Sequence, residues 1–258
     1  MVIRRIREHV AELNWFAVAI DLGIVVLGVF LGTQVSNWNE DRQQSDKGHQ
    51  YRVRLVNELR TTEGVMASLR DYAQSAKTHG LRALDLLDHP ERPGGDAFLV
   101  DAYQASQVVP RAGRHATYDE IVGAGNLDLI GSPDLRDRVS NYYWRMDGIM
   151  SLDAGTTAFR EQLRAVMPIA VQEAIRARCD EKLTDNGNGL IVPSIPDRCL
   201  AGIEPRLASA ATARLRGLAG FHDAMTRQLS NLDSRALSYA KLAANARELR
   251  AAIERDGG

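Results

Sequence analysis

Three apolar patterns organise the chain. From Trp15 to Val35, 21 residues include a single charged one, Asp21. Roughly 20 apolar residues rising about 1.5 Å each cross a hydrocarbon core of about 30 Å, so the run predicts a transmembrane helix. Trp15 and Trp38 bracket it, roughly 34 Å apart on a helix, the spacing of the two interfacial belts that indoles favour. From Leu55, steps of four and three reach Leu59, Thr62, Met66, Leu69, Ala73, Ala76, Gly80, Ala83 and Leu87. A second seam runs Ala211, Leu215, Leu218, His222, Met225, Leu229, Leu232, Ala236, Tyr239, Ala243 and Ala246. A repeat near 3.5 residues is the signature of helices packing along a shared face.

Proline placement agrees. None occurs in 1–89, 134–167 or 206–258, and proline breaks helix interiors. The first and last gaps each predict a helix of about 50 residues, packed antiparallel on matching seams. The small half of the first seam (Ala73 to Ala83) suits a close neighbour. Pro205 after Glu204 marks a helix start, as do Ser132, Pro133 and Asp134. That middle helix turns Leu135, Val139, Tyr142, Met146 and Ile149 inward and is expected to bend or end near Pro168. Thr117 to Glu120 has capping-box spacing for a short helix closed by Gly123 and Gly125, and residues 91–95 form a turn. Nothing alternates long enough for a strand; Leu190, Ile191 and Val192 are too few. The expected fold is all-α: an N-terminal transmembrane helix followed by an antiparallel bundle with long helices.

The domains expected are a short amphipathic segment over 1–14, the transmembrane helix over 15–38, and an extracytoplasmic bundle over 39–258. Ile3, Ile6, Val10 and Leu13 share one face of the first segment, which either lies on the inner leaflet or forms the first turns of the membrane helix. A cleaved signal peptide competes, since Arg4, Arg5 and Arg7 supply a basic start. The apolar run is too long for one and lacks a small-x-small exit. Three arginines before the span, against Arg42 and Lys47 just after it, favour a cytoplasmic N-terminus.

Cys179 and Cys199 flank a Gly/Asn/Pro-rich stretch. A bond between them would stabilise that loop by roughly 3 kcal/mol and persist only in an oxidising compartment; two free thiols are the alternative. Span and cysteines together place residues 39–258 outside the cytoplasm; in a Gram-negative bacterium that is an inner-membrane protein with its C-terminal domain in the periplasm.

Net charge is −1, with 32 basic and 33 acidic side chains, so no basic excess exists to bind nucleic acid. At 45% apolar and 25% charged residues the chain is an ordinary globular one. Catalytic signatures are missing: no nucleophile elbow, phosphate loop or H-E-x-x-H. The six histidines never fall at i, i+3 or i, i+4, so no helix presents a metal pair. His222 is expected in the bundle core. Asp185 to Gly189 reads as a turn, since it lacks the acidic residue that closes a calcium loop. No enzyme activity and no cofactor are expected.

Asp21 is the residue in most need of an explanation, because a carboxylate inside hydrocarbon costs up to about 3 kcal/mol. Asp21, Val25, Gly28, Gly32 and Ser36 share one helical face, and the last three form a small-residue stripe. The face predicts contact with another membrane helix, in a homo-oligomer or a multi-span partner. A proton relay through Asp21, as in stator-type subunits, is the functional alternative to packing.

The exit of the span, Gln34-Val35-Ser36-Asn37-Trp38-Asn39-Glu40, resembles that of an uncharacterised family of bacterial single-pass membrane proteins. The segment Thr117-Tyr118-Asp119-Glu120-Ile121-Val122-Gly123-Ala124-Gly125-Asn126-Leu127-Asp128-Leu129-Ile130 is similar to that family's second motif. The resemblance implies topology and architecture, and no catalytic residue. The function expected is a membrane-anchored interaction or scaffold protein. A periplasmic ligand-sensing bundle and a proton-relay subunit are the alternatives.

Overall fold

The computed structural model describes residues 15–109, 115–153, 155–185 and 191–256. The amphipathic segment expected over 1–14 and the turn over 186–189 lie outside the described residues. The fold is all-α with a long N-terminal helix. Helix α1 spans Trp15–Asp88, and α2 Gly95–Ala105, α3 Ala116–Gly123 and a 3-10 turn Leu127–Ile130 follow it. Next come α4 (Pro133–Asp153), α5 (Ala158–Val166) and α6 (Ile169–Cys179). A hairpin of β1 (Lys182–Asp185) and β2 (Ile191–Ser194) then leads to α7 (Pro205–Arg216) and α8 (Phe221–Asp256).

The chain divides at Gln50 into two units. In the first, α1 is exposed along residues 18–50, with only Gly23 and Gly48 shielded. The second begins at Tyr51, twelve residues beyond the boundary expected at 39. Its frame is an antiparallel pair, the second half of α1 against α8. Of the ten seam positions from Leu55 to Leu87, all but Leu87 are buried, as a 3.5-residue repeat packed on a neighbour requires. At one end Leu55, Leu59 and Met66 pack with α3, α4 and the last turns of α8. At the other, Ala83 joins α2, α5, α6, α7 and the start of α8. Tyr72, Ala73 and Ala76 bridge the two against Ile195, Leu232 and Ala236.

The small half of the seam is used as its composition predicts. A Cβ at Gly80 would stand 2.5 Å from Leu229 Cδ2 and 3.2 Å from Ala105 Cβ, so glycine allows both neighbours to approach. Pro133 follows a Ser132 cap whose Oγ accepts from the Leu135 N–H at 3.3 Å. Glu204 caps α7, accepting from the N–H groups of Arg206 and Leu207.

Several expectations are corrected. The final helix is not one rod of about 50 residues: it breaks after Gly217, and Gly220 sits at φ +73°, which favours glycine. At the first turn of α8 Phe221 is buried where His222 was expected and His222 faces out, while Met225, Leu229, Leu232, Ala236 and Tyr239 keep the expected seam. The Nε2 of His222 meets Asp88 Oδ1 at 2.8 Å. Helix α4 ends at Asp153, well before Pro168, and Thr157 caps a separate α5. Residues Lys182–Asp185 and Ile191–Ser194 do pair as strands, Lys182 opposite Ser194 and Asp185 opposite Ile191. Joined cysteines on either side hold these flanks together, which lets strands this short pair. Residues 91–95 do form a turn, but Gly95 already opens α2.

Candidate functional site

Asp21, Val25, Gly28, Gly32 and Ser36 are brought onto one face of α1 by helical spacing, and all five are exposed. Among the described residues, nothing outside the helix's own neighbouring backbone lies within 4 Å of a Cβ built at Gly28 or Gly32. Ser36 Oγ donates to Glu40 Oε1 at 3.3 Å, one turn further on. Trp15 opens α1, and Trp38 is 65% exposed. Leu22, Ile24, Leu27, Phe30 and Leu31 are likewise exposed by more than half. This stretch is long and apolar enough to cross a membrane by length and composition.

The segment from Thr117 to Ile130 docks onto the first turns of the bundle. Glu58 of α1 organises it, Oε2 accepting the Thr117 N–H at 2.7 Å and Oε1 the Tyr143 hydroxyl at 2.6 Å. The capping box expected within Thr117 to Glu120 is therefore replaced. Glu58, distant in sequence, takes the orphan N–H, and Glu120 turns outward to a two-pronged pair with Arg54. Tyr118 stacks on Tyr143 with centroids 4.3 Å apart, and Asn126 Nδ2 donates to the Tyr51 hydroxyl at 3.1 Å. Burial, with the Glu58 carboxylate beside it, pushes the Tyr143 phenol far above its ordinary range. An open cleft of about 580 Å³ lies alongside, between Arg54, Glu58 and His115. Its charged groups are already satisfied, His115 Nδ1 meeting Asp119 Oδ2 at 2.6 Å. The motif's polar residues thus hold the domain together.

Sequence reasoning missed a second polar cluster. His79 is buried on α1, with Nδ1 2.6 Å from Asp101 Oδ1 of α2 and Nε2 3.0 Å from the Pro196 carbonyl. Arg82 reaches the same Asp101 and both the side chain and carbonyl of Asp197. Three chain segments more than a hundred residues apart at their extremes meet there, and no local spacing announces it. Cys179 and Cys199 form a disulfide with Cα atoms 5.8 Å apart, fixing the far side of the same loop. Beyond it, the Asp96 carboxylate accepts from the N–H groups of Ala201, Gly202 and Ile203.

Among the described residues, no three His, Cys, Asp or Glu side chains gather to hold a metal ion. Fold and surface define a class: an all-α protein with a solid bundle and one long, uncovered apolar helix near its N-terminus. No protein-family model, no curated protein and no solved structure matches the chain.

Proposed function

We propose that the chain is a single-pass membrane protein whose helical bundle serves as an interaction or scaffold domain. The observation that carries this reading is that every large apolar side chain from Val18 to Val35 is exposed, from 42% at Val18 to 63% at Leu22. A contiguous apolar surface this size is unfavourable in water, at about 25 cal/mol per Å², and needs lipid or protein to cover it. The paired tryptophans at Trp15 and Trp38 support lipid. The Asp21, Val25, Gly28, Gly32 and Ser36 face supports a helix partner within it, a second copy or a multi-span protein.

The three arginines ahead of the span support a cytoplasmic N-terminus, and the Cys179–Cys199 bond supports an oxidising compartment for the bundle. Both are consistent with a bacterial inner membrane and a periplasmic domain, the topology that the two motifs also imply. Scaffold work needs no site chemistry. One gap in the bundle interior, along Leu69, Ala73 and Leu232, holds about 20 Å³, room for one water.

Alkaline carbonate extraction tests the anchor. The full-length chain stays with the membrane pellet, and a variant with Leu22, Val26, Val29 and Phe30 changed to Ser moves to the supernatant. Wild-type protein released by carbonate overturns the reading. Protease added to spheroplasts tests the topology, since a periplasmic bundle is digested and a cytoplasmic one is shielded.

A further inference from the structure

We propose that His79 is a pH-sensitive latch: as an imidazolium it fastens the segment between β2 and α7 to helices α1 and α2, and on losing its proton it loosens that hold. The latch lies within the bundle and is independent of the membrane anchor. His79 is 1% exposed, and both of its ring nitrogens have partners from other parts of the chain. Nδ1 stands 2.6 Å from Asp101 Oδ1 of α2, and Nε2 stands 3.0 Å from the Pro196 carbonyl.

These partners assign the protons. A carbonyl oxygen only accepts, so Nε2 carries a hydrogen. A carboxylate also only accepts, so Nδ1 carries one too, and a ring with both is charged. Arg82 Nη2 competes for Nδ1 at 2.8 Å, yet it donates to the Asp197 carbonyl at 2.6 Å and stands 3.1 Å from Asp101 Oδ1. Were Nδ1 to accept from Arg82, two acceptors would face each other at 2.6 Å with no hydrogen between them. Arg82 Nε is instead a further donor to the same carboxylate, 3.2 Å from Oδ1 and 3.3 Å from Oδ2. Among the described residues, Asp101, Arg82 and the mostly exposed Asp197 are the charged groups at the ring. Others on the elements packed here are engaged elsewhere: Glu181 accepts the Tyr72 hydroxyl two turns away on α1, and Lys77 pairs with Asp233 of α8.

When the ring loses one proton, one of the two bonds goes. Asp101 cannot withdraw, because it lies on α2, where every residue from Phe98 to Ala105 is buried. Its carboxylate holds the remaining hydrogen on Nδ1, since a bond to an ionised acceptor is the stronger of the two. Nε2 then presents a lone pair to the Pro196 carbonyl, and the two repel. The Pro196 side can move. It belongs to a connecting segment whose Asp197, Arg198 and Leu200 are exposed, pinned further along by Cys199 and by Asp96. Ile195 still packs with Tyr72 and Ala76, so the proton changes how often the stretch from Ile195 to Arg198 opens. The stretch is fastened at acid pH and loosened as pH rises. An extracytoplasmic bundle, the topology proposed above, would meet the pH of its surroundings directly.

Full-length protein in detergent micelles tests the latch. Changing every histidine except His79 to Gln leaves a single imidazole to read. Its isotope-labelled ring nitrogens are followed by NMR from about pH 5 to about pH 8, the range in which histidines change charge. Both nitrogens are protonated at the acid end, and the Nδ1–H tautomer remains at the alkaline end. Over the same rise, proteinase K cuts the wild type between Ile195 and Cys199 about tenfold faster, the factor carried by one hydrogen bond from a charged group. His79→Gln runs alongside; it cannot titrate, so any change in its cleavage is the protease's own. A ring already neutral at the acid end overturns the proposal, as does the Nε2–H tautomer at the alkaline end. Cleavage that does not accelerate, or that accelerates equally in His79→Gln, overturns it too. Where His79→Gln fails to fold, the ring signal alone decides.

Discussion

Lys77 of α1 and Asp233 of α8 form an ion pair across the antiparallel helices. Eleven residues toward the end of α1 and toward the start of α8, Asp88 meets His222. Fourteen residues the other way, Glu63 meets Arg247. Steps of 11 and 14 are close to whole numbers of helical turns, so the three pairs share one register. Exposed pairs of this kind are worth only about 0–1 kcal/mol each. They select the register, and the buried seam between them supplies the stability.

That division predicts a large effect at Gly80, one turn beyond Lys77. A valine there drives carbon into Leu229 and Ala105, and overpacking of this kind costs about 1–3 kcal/mol. Lys77→Ala costs well under 1 kcal/mol. Denaturant melts of the two variants check the contrast, and equal losses would show that the helices are not closely apposed at Gly80.

How much of this was legible in the sequence depends on periodicity. The seam from Leu55 to Ala83 could be followed because one α-helix holds a single phase throughout. Phe221 and His222 exchanged places at the first turn after the Gly217 to Gly220 break, and the seam keeps its register from Met225 onward, so the apolar pattern on either side does not announce the break. Helix α2 escaped notice for another reason. Phe98 to Ala105 are all buried, so the helix has no polar face to alternate with an apolar one. The Asp21 face was legible because it lies on one continuous helix. The cluster of His79, Asp101 and Arg82 was not, since it exists only where α1, α2 and the Pro196 segment meet.

Tyr142 supplies a pH test. Burial raises its phenol well above the ordinary value of about 10, as it does for Tyr72 and Tyr143. A group that holds its proton in the folded state and releases it on unfolding contributes stability below pH about 10. That stability falls as pH rises further, by up to about 1.4 kcal/mol per pH unit for each tyrosine. The Tyr142 hydroxyl has no hydrogen-bond partner among the described residues, so Tyr142→Phe leaves stability near pH 7 unchanged or slightly raised. It also makes the alkaline decline shallower by one proton. Chemical denaturation from pH 7 to pH 11 measures both effects, and an unchanged alkaline slope would mean that Tyr142 is open to solvent.

Reduction of Cys179–Cys199 releases a loop also held by His79, Arg82 and Asp96. The chain-entropy model assigns about 3 kcal/mol to a closure of this length. Cys199→Ser therefore lowers the melting temperature by several degrees, and added reductant does the same to the wild type but not to the variant. Hydrogen exchange locates the change in β1, β2 and the Pro196 segment, while the α1 seam stays protected. Loss of protection throughout α1 would mean that the loop is integral to the bundle frame and not an attachment to it.

Asp21 separates packing from charge in the proposed membrane face. If that face associates by close approach at Gly28 and Gly32, Gly28→Leu inserts a side chain into the contact and abolishes crosslinking between neighbouring helices. Asp21→Asn keeps a hydrogen-bonding side chain of the same size and leaves crosslinking near the wild-type yield. Should Asp21→Asn abolish crosslinking and Gly28→Leu leave it intact, the carboxylate itself holds the assembly, and a proton-linked role for Asp21 becomes the better account. Site-specific crosslinking from Val25 in native membranes reads both variants. Carbonate extraction of the same samples confirms that each is still inserted, so a lost crosslink reports on association alone.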